Sequence, residues 1–152
     1  MILLHNIAMQ CYWAKEEPHP AILHAMKAHE LTLVANDLRK QSAILGNIGA
    51  ILEVLGEWDL SLTASLQAWS LAVENTVDQT ELPLPILSNL VLVCVHKEKF
   101  DDALRYAELL LSYISSERVP VLLGFFENLF LTLLAMMAFT LSTSCPKSRA
   151  MA

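Results

Sequence analysis

Charged residues are scarce in this chain. Only 17% of its 152 residues are Asp, Glu, Lys or Arg, whereas 55% are hydrophobic. An average domain carries about 25% charged residues. A water-soluble monomer with so little charge exposes much apolar surface, and large apolar patches mark interaction sites. We therefore expect part of this surface to be covered by a partner or by a membrane.

Basic runs and nucleotide-binding motifs are missing as well. The chain has no run of Lys or Arg, and its formal net charge is −6. It therefore lacks the basic field with which proteins attract nucleic-acid phosphates or acidic lipid headgroups. It also contains no GxGxxG, GxxxxGK(S/T) or GxSxG sequence. We expect no nucleic-acid partner.

The cysteines do not suggest a cross-linked or catalytic centre. Cys11, Cys94 and Cys145 are far apart, odd in number and not part of a CxxC pair. This pattern argues against a disulfide framework and against a zinc site. Cys11 near His5 and Cys94 near His96 are conceivable nucleophile pairs, but no third group is present to orient either of them.

The histidines do not form a metal-binding pattern. His19, His24 and His29 are spaced by five residues, which turns each one about 140° from the last around a helix. Metal-binding pairs on one helix are three or four residues apart. We therefore expect no metal, no cofactor, no small-molecule substrate and no enzymatic activity.

Residues that break helices are few, because the chain has four glycines and six prolines. Between them, apolar residues recur three and four positions apart, which is typical of one helical face. Short turns between such helices make neighbours antiparallel. The pattern predicts an all-α fold, with helices over residues 41–55, 58–73, 84–95 and 100–114.

An internal repeat runs along the chain. Four asparagines, each followed by Ile or Leu, are 41, 42 and 39 residues apart: Asn6, Asn47, Asn89 and Asn128. Eleven residues after three of them stands a large aromatic residue: Trp58, Phe100 and Phe139. Residues 47–58 read NIGAILEVLGEW, and residues 89–100 read NLVLVCVHKEKF.

These strings resemble the tetratricopeptide repeat, in which the first helix reads roughly N-L-G, six residues, G-x-Y, followed three positions later by a small residue. Ser61 and Ala103 stand at that small position, and Ala68 at the later one where the two helices of a pair approach. The spacing resembles the branch of the family with repeats of 40 to 42 residues. The first repeat departs from the pattern, because it has Glu17 at the aromatic position and a turn that residues 18–20 are expected to lengthen.

The resemblance implies antiparallel helix pairs stacked as a short right-handed α-solenoid. It divides residues 1–118 into repeats at about 1–40, 41–82 and 83–118. It also implies a non-catalytic scaffold or adaptor, whose concave groove binds a protein partner through a peptide or a helix.

The resemblance implies that Asn47 and Asn89 line this groove and hold the backbone of an extended peptide. Asn6 and Asn128 are the next candidates for the same role. An amide side chain both donates and accepts hydrogen bonds, as such a role requires. The alternative is that these asparagines bond helix to helix within the stack. Repeats that clamp a chaperone's terminal carboxylate place Lys or Arg beside the Asn. The corresponding helix faces of this chain contain no basic residue: Ile2, Asn6, Met9, Trp13, Ala43, Asn47, Ala50, Val54, Pro85, Asn89 and Leu92.

An apolar run near the end of the sequence allows two interpretations. Residues 121–141 are long enough for a helix that crosses a bilayer, and a tail-anchored protein facing the cytosol is the alternative function. Glu127 and Asn128 are costly in lipid, and Asn128 keeps the repeat period. Residues 119–141 are therefore either the first helix of a fourth repeat or a membrane segment. Residues 142–152 read as a disordered tail.

The start of the sequence has no secretory signal pattern, and we expect a cytoplasmic protein. Its apolar helical pattern begins at residue 2 without a preceding capping residue. Stacked repeats need polar caps at both ends. We therefore expect the chain to be a fragment or short isoform of a longer array, or to have its ends covered by a partner.

Overall fold

Stretches rich in Leu, Ala, Ile and Val form the helices of this protein, and short polar segments separate them. The computed structural model describes residues 1–75 and 83–114. The helices there are Ile2–Ala14 (α1), Pro18–Ala35 (α2), Leu38–Val54 (α3), Trp58–Asn75 (α4), Leu84–His96 (α5) and Phe100–Ile114 (α6). These described ranges contain no strand, so the predicted all-α class is confirmed.

The same three-residue turn joins the helices of each pair. Its middle residue is left-handed in all three copies, with φ of 60° at Glu16, 77° at Gly56 and 56° at Glu98. The next residue donates its N–H to the carbonyl oxygen five positions earlier, over 3.0, 2.9 and 2.8 Å respectively. This is the Schellman arrangement that satisfies the last carbonyls of a helix. The chain therefore repeats in its backbone as well as in its sequence.

The expectation that residues 18–20 lengthen the first turn is wrong. Pro18 is the first residue of α2 and takes the position that Trp58 and Phe100 occupy in the later pairs. Proline suits this position because its missing N–H would have no partner in the first turn of a helix. Counted from these helix starts, the repeat is 40 and then 42 residues long, and Asn6 lies one residue before the position equivalent to Asn47.

Each helix packs on its chain neighbour from α1 to α5, and α3 also contacts α5. Because the connections are short, neighbouring helices run antiparallel, and the pairs form a repeat-like stack. Small buried side chains allow the close approach: Ala21, Ala25, Ala28, Ser61, Ser65, Ala68 and Ala103. Ser61 Oγ donates to the carbonyl oxygen of Gly49 at 2.7 Å, and Ser42 Oγ donates to that of Ala68 at 2.8 Å.

Helices α1 and α2 carry exposed apolar residues, among them Leu3, Leu4, Ile7, Leu23 and Met26. Residues Met1–Tyr113 form one compact unit. No helix in the described part of the chain is long and apolar enough to span a membrane. The run at 119–141, the tail at 142–152, the polar segment at 76–82 and residues 115–118 of the third repeat lie outside the described residues.

Candidate binding groove

A groove opens between α1 and α3, the first helices of two successive pairs. It has a volume of about 530 Å³, and Leu31 of α2 also lines it. Most of its lining is apolar, with three polar side chains among the contributing residues: Met1, Ile2, Leu3, Asn6, Leu31, Lys40, Ala43, Ile44 and Asn47. Such a mainly apolar cleft with a few placed polar groups is typical of a binding site.

Asn6 lines this groove and carries a buried polar atom that has no partner. Its Oδ1 is sealed from solvent and accepts no hydrogen bond, although the side chain as a whole is half-buried. A buried carbonyl oxygen without a donor costs about 1–3 kcal/mol. Because Oδ1 is sealed, a ligand in the groove reaches it only after the Asn6 side chain turns, and an N–H donated to the turned amide would remove that cost.

Asn47 lies on the opposite wall of the groove, on α3. It is half-buried, and its side chain makes no hydrogen bond within the part of the chain that the structure describes. Its amide therefore keeps both a donor and an acceptor for a ligand. The structure brings together Asn6 and Asn47 of the four asparagines in the sequence pattern.

Asn89 is placed differently. It is 7% exposed and donates from Nδ2 to Ser65 Oγ at 2.6 Å, which ties α5 to α4. This is the helix-to-helix bond that the sequence left open as the alternative to a groove position. Asn128 lies outside the described residues.

Five groove residues lie outside the helix faces that the sequence pattern assigned to the groove: Met1, Leu3, Leu31, Lys40 and Ile44. Those faces contained no basic residue, so the presence of Lys40 is a correction. Leu31 reaches the groove from α2, and Lys40 lies on its edge in the first turn of α3. Lys40 Nζ donates to Asp37 Oδ2 at 2.6 Å. This hydrogen bond, together with the backbone N–H of Lys40, holds the pKa of the Asp37 carboxyl below its ordinary value. Lys40 thus forms an ion pair with Asp37, the residue that caps its own helix.

A second polar cluster lies where the turn between α3 and α4 meets the end of α5. The rings of Trp58 and His96 stack with centroids 4.0 Å apart, and Lys97 forms an ion pair with Asp59. Burial raises the pKa of the Glu53 carboxyl, and His96 partly opposes this shift. These contacts join two successive helix pairs.

The two cysteines that have a histidine nearby in the sequence lie in different surroundings. Burial raises the pKa of the Cys94 thiol, which disfavours the reactive thiolate. Cys11 is exposed on α1, and His5 instead faces His24. In residues 1–75 and 83–114, no group of three His, Cys, Asp or Glu side chains is arranged to hold a metal ion.

Comparison of the chain with models of protein families found no match. Neither the curated proteins nor the solved structures contain a match to it.

Proposed function

We propose that this chain is a non-catalytic protein-binding module of the tetratricopeptide type, which holds an extended segment of a protein partner in the groove between α1 and α3. The observation that carries the proposal is a mainly apolar groove with an asparagine on each of its two walls. Asn47 makes no hydrogen bond within the described residues, and Asn6 Oδ1 is buried without a donor. The three identical turns and the small residues between the helices support the family assignment.

The chemistry of the groove favours a peptide over a small polar ligand. Ala43, Ile44 and Leu31 offer an apolar surface for side chains of the partner. Asn6 and Asn47 offer amide groups that can pair with the N–H and C=O of a peptide backbone. Recognition would then combine backbone hydrogen bonds with burial of one or two apolar side chains.

Selection from a displayed library of random peptides tests this proposal with the full chain as bait. We expect recurrent apolar peptides, and we expect the Asn6→Ala/Asn47→Ala variant to bind them about tenfold more weakly. That loss corresponds to two neutral hydrogen bonds of about 0.5–1.5 kcal/mol each. Ala43→Glu should also abolish binding, because it introduces a carboxylate into the apolar lining.

The matched control is Gln67→Ala, which removes an amide from the exposed face of α4, away from the groove. It should bind the selected peptides as the unaltered chain does. Circular dichroism checks that every variant keeps the same helicity. The proposal fails if no peptide is enriched, or if the selected peptides bind the Asn6→Ala/Asn47→Ala variant undiminished.

A further inference from the structure

Two histidines meet between α1 and α2. Nδ1 of His5 lies 3.1 Å from Nδ1 of His24, and both side chains are half-buried. The ring centroids are 5.3 Å apart, so the two nitrogens point towards each other. The ring of Tyr12 lies nearly parallel to that of His24, at 11° and 5.4 Å, and flanks it.

We propose that His5 and His24 form a two-imidazole site for a late first-row divalent cation, of which Zn²⁺ is the best-suited probe. Imidazole nitrogen is a preferred ligand of zinc, copper and nickel. Two nitrogens at about 2.0–2.1 Å from a zinc ion and 3.1 Å from each other subtend about 100° at the metal. This angle lies between the octahedral and the tetrahedral values. Because the two Nδ1 atoms point at each other, each ring must turn by about 40° to aim its lone pair at the metal.

For a metal to bind this pair, the proton shared between the two Nδ1 atoms has to move elsewhere. Without metal, one ring donates its Nδ1–H to the unprotonated Nδ1 of the other. When a cation binds, the donor ring moves its proton from Nδ1 to Nε2, and both Nδ1 lone pairs become available. Water fills the remaining coordination positions of the ion. The cation then joins α1 to α2.

Calorimetric titration of the full chain with Zn²⁺ tests the site. We expect one Zn²⁺ ion per chain, and at least about tenfold weaker binding by His5→Asn and by His24→Asn. Removing a hydrogen-bond partner of a ligand already costs 10- to 100-fold in affinity. The matched control is His29→Asn, a half-buried histidine on α2, which should bind zinc as the unaltered chain does. Equal affinity in all four proteins would overturn the proposal.

A second measurement needs no substitution and so does not depend on the variants folding. In spectra of ¹⁵N-labelled imidazoles, saturating Zn²⁺ should shift the Nδ1 signals of His5 and His24 and leave those of His29 in place. If both Nδ1 signals stay unchanged under excess zinc, the pair is a hydrogen bond between two helices and the site does not exist.

Discussion

Asn47 and Asn89 occupy equivalent positions in successive helix pairs, each eleven residues before the start of the next helix, yet their surroundings differ. Asn89 bonds to Ser65, which stands seven residues into α4. The residue seven positions into α2 is Ala25, which has no hydroxyl group. Asn47 therefore lacks the internal partner that Asn89 has, and this difference leaves it available to a ligand in the groove.

Gly49 of α3 lies close to residues of both α4 and α5. A Cβ at this position would overlap Ser65 Oγ and would lie 3.0 Å from Asn89 Nδ2. Overpacking of a filled core costs about 1–3 kcal/mol, and the higher helix propensity of alanine offsets about 1 kcal/mol of this. We therefore expect Gly49→Ala to lower the free energy of unfolding by up to about 2 kcal/mol. Urea denaturation followed by circular dichroism measures the effect.

A double-mutant cycle with Ser65→Ala identifies the cause of that loss. Ser65→Ala removes the hydroxyl group that the new methyl group would meet, so Gly49→Ala should cost less in this background. The amide of Asn89 is unpaired in Ser65→Ala and in Ser65→Ala/Gly49→Ala alike, so its free-energy cost cancels between them. Equal costs in the two backgrounds would show that the Ser65 hydroxyl is not what excludes a side chain at Gly49.

The histidine pair shows what sequence spacing cannot predict at the level of single residues. Spacing within α2 predicts that His24 lies on a different helical face from His19 and His29, but it carries no information about a residue on another helix. His5 lies 19 positions earlier and reaches His24 only because α1 and α2 pack together. For the same reason the asparagine period could not show that Asn89 is buried against Ser65 while Asn47 is not.

The turns between paired helices are the elements in which the three copies can be compared directly. Each requires a left-handed residue, and Gly56 has no Cβ to disfavour that conformation. Glu16 and Glu98 adopt it with a side chain, at φ of 60° and 56°, which costs about 1–2 kcal/mol for an L-residue. The first and third turns thus carry a strain that the second does not.

Glycine at these positions should therefore stabilise the fold. We expect Glu98→Gly to raise the free energy of unfolding by about 0.5–1 kcal/mol, because relief of the left-handed strain exceeds the entropy that glycine adds to the unfolded chain. Gly56→Ala, the opposite exchange in the second turn, should lower it by about 1 kcal/mol. Thermal unfolding compares the two, and a destabilised Glu98→Gly would contradict the explanation.

Apolar spacing predicted the helices better than it predicted their ends. The last described helix was predicted at its observed bounds, Phe100–Ile114. The helix predicted from residue 41 begins at Leu38, because the side chain of Asp37 accepts the N–H of Lys40 at 3.0 Å and caps it. The first turn was misjudged because two prolines suggested a long loop, whereas Pro18 fits the first position of a helix.

In the described unit as a whole, helices pack mainly on helices that are close to them in the sequence. From α1 to α5, each helix contacts the next helix along the chain, and α3 also contacts α5. In stacks of this kind, stability is approximately a sum of terms for each repeat and its nearest neighbours. Damage to one helix pair should therefore leave a distant pair folded.

Native-state hydrogen exchange tests this expectation with two substitutions, each of which creates a cavity in a different helix pair. Met9 is 4% exposed on α1, and Leu87 is fully buried on α5; truncation of either to alanine costs about 2–5 kcal/mol. Met9→Ala should reduce amide protection mainly in α1 and α2, whereas Leu87→Ala should reduce it mainly in α4 and α5. If either variant loses protection equally in all these helices, the unit unfolds as a single cooperative core and the repeat description of its energetics is wrong. If the losses separate, the groove between α1 and α3 lies at the boundary of a pair that opens on its own, and a peptide bound there would stabilise that pair selectively.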